Sequence, residues 1–551
     1  MRGAAYFEKA LDFFQQGALA QAKQTCRLGL AQAPANFEGW RLLALIYQRG
    51  GQSEAALTAL HQALRLAPEA AVLYCDLGHF RAESKAPDLA RSAYRKALVC
   101  DPDYWLAWLG LGQLEAEWGT VQAAWGAWWE VLQREPFQYE ALLGILEILR
   151  RQKNWQAAEQ IVQKALSASC FSKAQRARLL TQQGVLWQDQ GLFQAALGAF
   201  AQARVLLPEL ADACFGQGSV FQEQGERELA RAAYLECLKL QPLHAEAQLN
   251  LGLLDLSESK WESGFQRLGW RKFTQGYRGE ILQPTWQGES LRGKTLLVQG
   301  ELGQGDMLLF ARFLRPALHL AKKVYFRGSE TLLPLLETMP GLETVSLEAP
   351  LPVYDKACLL LDLPALLGLR PLDCPPPYLQ VEPLNRAPLE VPFRARVGFC
   401  WHGQLPERQP LPTAQRMAAR KQIPLAAFIP VFQALPELAF FSLQWPEEPE
   451  LALYPGLFSL AGSFENWLDT ARAMAALDLV ISADTAIAHL AGALGKPVFL
   501  LLPEPAYWLW PERGSDFDWY PRLRIFRQSL AGDWSDPMAE LSMALREGFG
   551  F

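Results

Sequence analysis

The chain has 551 residues, of which half are apolar and one fifth are charged, and its net charge is −6. This length predicts two to four domains, and the composition is typical of a folded, soluble protein. The slight acidic excess argues against general nucleic-acid binding, which usually needs a basic surface.

The cysteines and the N-terminal segment indicate the compartment. Nine cysteines are scattered along the chain, none of them in a Cys-x-x-Cys pair, and there are only six histidines. We therefore expect reduced, mostly buried thiols and no zinc site. The N-terminus enters an amphipathic helix without a signal-peptide core, and no apolar run is long enough to span a bilayer. The sequence predicts a cytoplasmic protein with no transmembrane segment.

An internal repeat governs the first part of the chain. Prolines recur at intervals of 34 residues, with one interruption between Pro136 and Pro208 where Cys170 stands in place of a proline, and an alanine lies twelve residues before the end of each unit. This period and pattern resemble the tetratricopeptide repeat, in which each unit is a pair of antiparallel helices. The prolines are Pro34, Pro68, Pro102, Pro136, Pro208 and Pro242, and the alanines are Ala22, Ala56, Ala90, Ala124, Ala158, Ala196 and Ala230.

The repeat pattern predicts an α-solenoid over residues 1–272, with seven repeats and a degenerate eighth that caps the stack. One helical hairpin cannot bury its apolar face alone, so the repeats must stack on one another. We expect the groove of this solenoid to hold a protein or peptide partner. One repeat carries a dense set of tryptophans, which form either inter-helix core or an aromatic patch in the groove. These are Trp105, Trp108, Trp118, Trp125, Trp128 and Trp129.

The helical period stops after residue 272, and residues 273–293 are predicted to be a linker because they are rich in Gly, Pro and Trp. Short apolar runs then alternate with helices, which predicts parallel sheets with helices on both faces. One such series occupies residues 294–390 and a second occupies 391–551, and a proline-rich stretch separates them. The predicted strands are Lys294–Gln299, Lys323–Phe326, Glu343–Leu347, Ala357–Leu361, Arg396–Trp401, Leu438–Gln444, Asp478–Ser482 and Pro497–Leu502.

This organisation is an α-solenoid followed by an α/β part with two sheets. A cleft is expected between the facing strand ends, where ligands bind in such sheets. The most informative motif lies there, because a strand runs into Asp484-Thr485 and a helix follows. Either residue can cap that helix, whose N–H groups and dipole at Ala486 suit a diphosphate. His489 lies one turn further on the same face. We expect the segment from Asp484 to His489 to hold the diphosphate of the donor.

This motif, together with Gln299–Arg312 and Trp519–Gln528, closely resembles the glycosyltransferase family that includes the lipopolysaccharide heptosyltransferases. It resembles most of all the family members that are fused to tetratricopeptide repeats, and the resemblance extends over about residues 265–530. It implies the GT-B fold, in which two Rossmann-like domains bind a nucleotide-sugar in the cleft between them. It implies no cofactor, because the nucleotide diphosphate sugar is itself the donor substrate.

The resemblance also implies roles for particular residues. The family's general base follows a glycine after the first strand, and Gly305-Asp306 match that position here. A carboxylate there can take the proton of an acceptor hydroxyl, although Asp306 can instead serve only as a helix cap. A basic residue of the second domain neutralises the diphosphate, and both Arg420 and Lys421 fit the matching segment.

Other charged residues near the predicted cleft have two interpretations each. Arg408 and Arg416 lie in a long loop after the first strand of the second domain, and they face either the donor or solvent. His402, after the same strand, either reaches the cleft or is structural. Asp516-Phe517-Asp518 spells the Asp-x-Asp of metal-dependent sugar transferases, but it lies in a polar loop beyond the sheet. We therefore predict no metal site.

These features together predict an inverting, metal-independent glycosyltransferase of hexosyl- or heptosyltransferase type. It would move a sugar from a nucleotide-sugar to an acceptor, which is expected to be a protein or peptide presented by the repeats, with a glycan as the alternative. A single base and direct displacement imply inversion at the anomeric carbon. The competing hypothesis is a catalytically inactive repeat scaffold, because Gln422 replaces a serine of the family's basic segment.

Overall fold

The computed structural model describes residues 4–274, 276–277, 279–384, 393–403, 412–506, 509–511, 514 and 517–550. The chain forms two compact units, Met1–Leu186 and Trp187–Phe551. Within the described ranges, no helix has the length and apolar character needed to cross a membrane. All nine cysteines are described, none forms a disulfide, and seven of them are buried.

Paired helices make up the first unit and continue into the second. The helices of the first unit are α1 (Ala4–Gln15), α2 (Leu19–Gln32), α3 (Phe37–Arg49), α4 (Ser53–Leu66), α5 (Ala71–Glu83), α6 (Pro87–Cys100), α7 (Trp105–Trp118), α8 (Val121–Arg134), α9 (Tyr139–Arg151) and α10 (Trp155–Ser167). Helix α11 (Lys173–Asp189) contains the boundary between the units. The second unit continues with α12 (Phe193–Leu206), α13 (Ala211–Glu223), α14 (Arg227–Leu240), α15 (Ala245–Ser257), α16 (Trp261–Leu268) and a 3-10 helix at Gly269–Phe273.

Small residues let the paired helices approach, as the repeat pattern predicts. All seven pattern alanines are buried. A Cβ atom on Gly112 would lie 2.5 Å from Cδ1 of Trp128, and one on Gly144 would lie 2.5 Å from Cε3 of the same ring. Trp128 is therefore inter-helix core. Trp125 and Trp129 stack with ring centres 6.2 Å apart, and Trp129 is about half exposed.

Two separate parallel sheets form the rest of the second unit. The first has four strands in the order β3-β2-β1-β4, and the second has six in the order β10-β9-β8-β5-β6-β7. Every strand pairing within the described residues is parallel. The strands are β1 (Thr295–Gln299), β2 (Lys323–Gly328), β3 (Leu342–Ser346), β4 (Lys356–Leu359), β5 (Ala395–Cys400), β6 (Leu438–Ser442), β7 (Leu457–Ser459), β8 (Leu479–Ala483), β9 (Val498–Leu502) and β10 (Leu523–Arg527).

All eight strands predicted from sequence are present to within about two residues, and the prediction omitted the two edge strands of the second sheet. Strand β7 has only three residues, too few for a readable pattern. Strand β10 carries two arginines, and a solvated edge tolerates such charges more easily than the centre of a sheet does. Both omissions concern strands that have a neighbour on one side only.

Helices cover both faces of the second sheet because its strands are apolar on both sides. Val480 and Leu500 face one core, whereas the adjacent Ile481 and Leu501 face the other. The first of these cores also includes Val298 of the first sheet. The helices of the first sheet-bearing series are α17 (Gln304–Phe310), α18 (Leu314–Leu320), α19 (Leu333–Leu336) and α20 (Leu363–Leu367), and those of the second are α21 (Pro412–Arg420), α22 (Leu425–Gln433), α23 (Trp467–Ala475), α24 (Ala486–Ala493) and α25 (Ser535–Phe549).

The last repeat helices belong to the same core as the sheets. Phe265 of α16 contacts Phe310 of α17 and Trp519, with ring centres 6.2 Å apart in both pairs. The segment 273–293, which the sequence predicts to be a linker, buries Trp286, whose backbone N–H donates to the carbonyl of Ala357 in β4 over 2.7 Å. The change from repeats to sheets near residue 273 therefore falls inside one compact unit.

Candidate functional site

A cavity of about 670 Å³ lies at the carboxyl ends of β1, β5 and β8. Strand β5 is central in the second sheet, and the chain order reverses between β5 and β8, where ligands bind in sheets of this kind. The volume is in the range of small-molecule sites. Its lining includes Gly303–Asp306, Cys400, His402, Lys421, Gln444, Trp445, Asn466, Trp467, Asp484–Ile487 and His489.

Two helices of the second sheet begin at this cavity. Thr485 is the N-cap of α24, where its side chain accepts a hydrogen bond of 3.2 Å from the N–H of Ile487. Asn466 caps α23 in the same way, by accepting from the N–H groups of Leu468 and Asp469. Of the two capping residues that the sequence allowed for α24, Thr485 is the one used. The positive ends of both helix dipoles therefore lie at the cavity, where they favour an anion.

Asp306 lies in the first turn of α17 and lines the same cavity. Burial raises the pKa of its carboxyl group to about 6, although Lys421 and the N–H of Gly303 act in the opposite direction. Gly303 is the N-cap of the helix, so Asp306 also supports the start of α17. Asp306 therefore lies beside the N-terminus of α17 without being its cap residue, and its role as general base stays a prediction. A carboxyl group that titrates near neutral pH suits general base catalysis.

Gly305 allows α17 to approach α24 closely. A Cβ atom at this position would lie 3.2 Å from Cδ2 of His489 and 3.5 Å from Cα of Ala486. The predicted base and the predicted diphosphate site are therefore neighbours, although 178 residues of sequence separate Asp306 from Asp484.

Lys421 and Asp484 form an ion pair of 2.6 Å between Nζ and Oδ2 at the cavity wall. Asp484 is buried, and Lys421 follows directly after α21. Of the two candidate basic residues, only Lys421 lines the cavity. The guanidinium of Arg420 instead donates to the carbonyl of Glu223 over 3.5 Å, so the structure does not bring Arg420 to the cavity. Adjacent residues point in different directions here because α21 ends between them.

His489 is buried in the middle of α24 and reaches the cavity from behind the helix N-terminus. Its ring stacks on Trp510 at 5.5 Å with an angle of 4° between the planes. Burial lowers the pKa of the imidazole to about 4, so the side chain is neutral at pH 7. His489 therefore brings no positive charge to the cavity.

The interpretations left open for His402 and the loop arginines are resolved in part. His402 lines the cavity, and its Nε2 lies 3.5 Å from Glu448 Oε1. Arg416 faces neither the donor nor open solvent, because it forms an ion pair of 2.7 Å with the buried carboxylate of Glu223 in repeat helix α13. Arg408 lies outside the described residues.

Helix α21 is consequently held by the repeats. Arg416 also donates to the carbonyl of Asp189, at the end of α11, and Gln188 donates to the second oxygen of Glu223 over 2.6 Å. Because Lys421 follows directly after α21, the end of the repeat array fixes the position of the cationic residue at the cavity. Sequence reasoning missed Glu223, since its pattern position only indicates a helix.

Of the two carboxylates in the Asp-x-Asp tripeptide, only that of Asp518 lies in the described part of the chain. Asp518 accepts a hydrogen bond of 3.2 Å from Ser259 in the loop after α15, and Asp516 lies outside the described residues. Among the residues that the structure describes, no group of three or more His, Cys, Asp or Glu side chains is arranged to hold a metal ion.

Several residues at the site were not singled out from sequence. Asn466 caps α23, and Gln444 accepts hydrogen bonds from the Cys400 thiol and the His402 N–H. Tyr520 lies 3.4 Å from Nδ1 of His489. Tyr520 is part of the Trp519–Gln528 segment that carried the family resemblance, which was the one available signal for it.

Comparison with known proteins supports the prediction of tetratricopeptide repeats in the first part of the chain. Residues 41–104 and 215–262 match the family model described as Tetratricopeptide repeat. Over 578 aligned positions the chain is 25% identical to Protein FlbA of Caulobacter vibrioides, covering 95% of this chain and 85% of that protein. It is also 22% identical over 200 residues to Anaphase-promoting complex subunit 3 of Schizosaccharomyces pombe, covering 36% of this chain and 29% of that protein.

One similar solved structure is a tetratricopeptide repeat protein from Parabacteroides merdae, at 18% identity and a TM-score of 0.36, covering 43% of this chain and 93% of that one. The match to the family model shows that the N-terminal part of the chain consists of tetratricopeptide repeats, and a part with parallel sheets follows it.

Proposed function

We propose that this protein is an inverting, metal-independent glycosyltransferase with the GT-B arrangement of two Rossmann-like domains. The observation that carries the proposal is a single cavity that combines a carboxylate of raised pKa, a lysine and two capped helix N-termini. A nucleotide diphosphate sugar fits this combination, because its diphosphate is anionic and its anomeric carbon needs a nucleophile activated by a base.

In the proposed reaction Asp306 accepts the proton of an acceptor hydroxyl. The hydroxyl oxygen then forms a bond to the anomeric carbon, and the bond from that carbon to the diphosphate oxygen breaks. The nucleoside diphosphate leaves with the electron pair. Lys421 and the N-terminus of α24 stabilise the negative charge that develops on this leaving group. Attack from the side opposite the leaving group inverts the anomeric centre.

Asp306→Asn tests the base assignment. We expect transfer to fall about 10²- to 10⁴-fold, because that is the range that general base catalysis supplies, while binding of the nucleoside diphosphate is retained. The measurement is incubation with labelled nucleotide-sugars and cell lysate, followed by identification of the labelled product. Glu540→Gln, on the exposed side of α25, is the matched control and should leave transfer unchanged. Full transfer by Asp306→Asn would refute the assignment.

The pH dependence gives a second test of the same residue. Because only the ionised form can act as base, transfer should rise as pH increases through about 6, the pKa to which burial raises the Asp306 carboxyl group. A kcat/KM profile that is flat between pH 5 and pH 8 would contradict the proposal.

We also propose that the repeats present the acceptor, which is a protein or peptide, because tetratricopeptide repeats form surfaces that bind other proteins. Mass spectrometry of the labelled product distinguishes this acceptor from a glycan. The competing hypothesis is an inactive scaffold, and it predicts no heat when UDP, GDP, ADP and CDP are titrated into the full chain in a calorimeter.

A further inference from the structure

His489 stands at one end of a buried chain of hydrogen bonds that ends at a backbone carbonyl. The hydroxyl of Tyr378 lies 2.9 Å from the carbonyl oxygen of Leu308 and 3.2 Å from the hydroxyl of Tyr520. The hydroxyl of Tyr520 lies 3.4 Å from Nδ1 of His489. All three side chains are buried, so water does not compete for these contacts.

The direction of each bond follows from counting protons. A carbonyl oxygen only accepts, so the single proton of Tyr378 goes to Leu308. The oxygen of Tyr378 then accepts from Tyr520, which uses the single proton of that phenol. The remaining contact needs a proton from the imidazole, so Nδ1–H of His489 donates to the oxygen of Tyr520.

The surroundings favour this direction. Arg312 is fully buried and can only donate, and its Nη2 lies 3.5 Å from the oxygen of Tyr378. Its guanidinium lies 4.7 Å from the centre of the Tyr378 ring. Burial raises the pKa of Tyr520 well above its usual value and lowers the pKa of His489 to about 4, so the phenol keeps its proton and the neutral imidazole has only one.

A neutral imidazole with its proton on Nδ1 has a lone pair on Nε2. His489 lines the cavity, its Cδ2 faces Gly305, and no residue in the described part of the chain forms a hydrogen bond with Nε2. On the basis of the proposed function, we propose that Tyr520 and Tyr378 fix His489 in the Nδ1–H tautomer, so that Nε2 accepts a hydrogen bond from a hydroxyl of the transferred sugar.

This inference assigns different parts of the donor to different residues near the N-terminus of α24. An unprotonated Nε2 repels a phosphate oxygen, because both atoms carry lone pairs. The diphosphate therefore contacts Lys421 and the helix N-terminus, whereas His489 recognises the sugar. The expectation from sequence that His489 helps to hold the diphosphate is replaced by a role in sugar recognition. Tyr520 and Tyr378 are positioning residues, since they act through His489.

NMR of the full chain with ¹⁵N-labelled histidine tests the tautomer without any ligand. The six histidines give few signals, and His489→Gln identifies the signals of residue 489. We expect the pyridine-like nitrogen of His489 to be Nε2. A pyridine-like Nδ1 in the unmodified protein would overturn the proposal.

Tyr378→Phe provides the sharper experiment, because it should reverse the direction of the hydrogen bond between Tyr520 and His489. Without the oxygen of residue 378, the proton of Tyr520 turns to Nδ1 of His489, and the imidazole proton moves to Nε2. The pyridine-like signal should therefore change from Nε2 to Nδ1. An unchanged tautomer in a folded Tyr378→Phe protein would mean that these phenols do not control His489. Tyr520→Phe, which removes the acceptor for Nδ1–H, is the second variant if the first does not fold.

Binding measurements test the sugar contact. Calorimetry would compare UDP with UDP-glucose, GDP with GDP-mannose and ADP with ADP-glucose. We expect Tyr378→Phe to weaken the sugar conjugate by about 2- to 10-fold, the range for one hydrogen bond, and to leave the diphosphate unchanged. Tyr354→Phe is the matched control, because it loses a 2.8 Å hydrogen bond to the carbonyl of Gln283 outside the cavity.

The outcomes separate the two proposals. Equal weakening of a diphosphate and its sugar conjugate by Tyr378→Phe would overturn the sugar contact while the glycosyltransferase proposal stands. No binding of any of these six probes to the unmodified protein would count against the glycosyltransferase and the sugar ligand together. In that case the NMR experiment still decides the tautomer on its own.

Discussion

Repeats of the first unit and repeats of the second unit share one stacking rule but use their charged residues differently. In the first unit, ion pairs join one repeat to the next, as Arg91 of α6 does with Glu115 of α7. In the second unit, Glu223 and Arg271 pair with residues of the sheet-bearing segment. The repeat consensus therefore encodes stacking, and the charges outside it decide whether a repeat also supports the sheets.

Substitution of Arg271 should give the largest difference in stability between the two units. Its buried guanidinium contacts both oxygens of Glu301, after β1, and Oδ1 of Asp362, after β4, at 2.7 Å. Arg271→Met leaves two carboxylates without this partner, and we expect the free energy of unfolding to fall by about 3–5 kcal/mol.

Urea denaturation would measure this loss. The matched control in the first unit is Arg134→Met, because the side chains of its partners Asp103 and Glu130 are 85% and 41% exposed. Its loss should cost about 0–1 kcal/mol. Similar losses in the two variants would show that the second unit is not held together by its buried ion pairs.

Alanine substitution of the packing glycines tests whether the stacking rule is the same in both units. A Cβ atom would lie 2.5 Å from the Trp128 ring in Gly112→Ala and 2.6 Å from the Tyr234 ring in Gly218→Ala. Overpacking should destabilise each variant by about 1–3 kcal/mol. Thermal unfolding is the measurement.

Gly126→Ala is the control for these glycines, because no atom lies within 4 Å of the added Cβ. It should stabilise the protein by about 0.5–1 kcal/mol through helix propensity. If Gly112→Ala changes the stability in the same direction as Gly126→Ala, the packing of the Trp128 ring against residue 112 does not require a glycine there.

Glu223→Gln should have the smallest effect of these substitutions. We expect it to change the affinity for a nucleotide rather than the free energy of unfolding. The substitution weakens the pair with Arg416 and loosens α21, which is followed by Lys421. We expect affinity for the nucleoside diphosphate that binds most tightly among UDP, GDP, ADP and CDP to fall by about 0.5–2 kcal/mol.

Calorimetry would measure the affinity, and Glu115→Gln is the matched control. Glu115 is equally buried and paired with arginine, but it lies in the first unit, so nucleotide affinity should not change. Equal effects of the two substitutions would remove the special role assigned to the last repeats.

The sequence was sufficient for features that repeat or that lie within one strand-turn-helix segment. Buried alanines, the eight predicted strands and the Asp484–His489 motif are each indicated by residues close together in the sequence. The sequence could not distinguish Arg420 from Lys421, because the end of α21 decides which side chain faces the cavity. It also could not reveal the bond between Tyr378 and Tyr520, since 142 residues separate them and no motif joins the two.

The cluster of Arg271, Lys272, Glu301 and Asp362 limits how this chain can be divided. Composition places a boundary after residue 272, yet Arg271 and Lys272 neutralise the carboxylates beside β1 and β4 from the other side of that boundary. A fragment that began at residue 273 would lose both cations at once. Repeats near the N-terminus can therefore be gained or lost in evolution more easily than the last one. The ion pairs of the last repeat are part of the packing of the sheets.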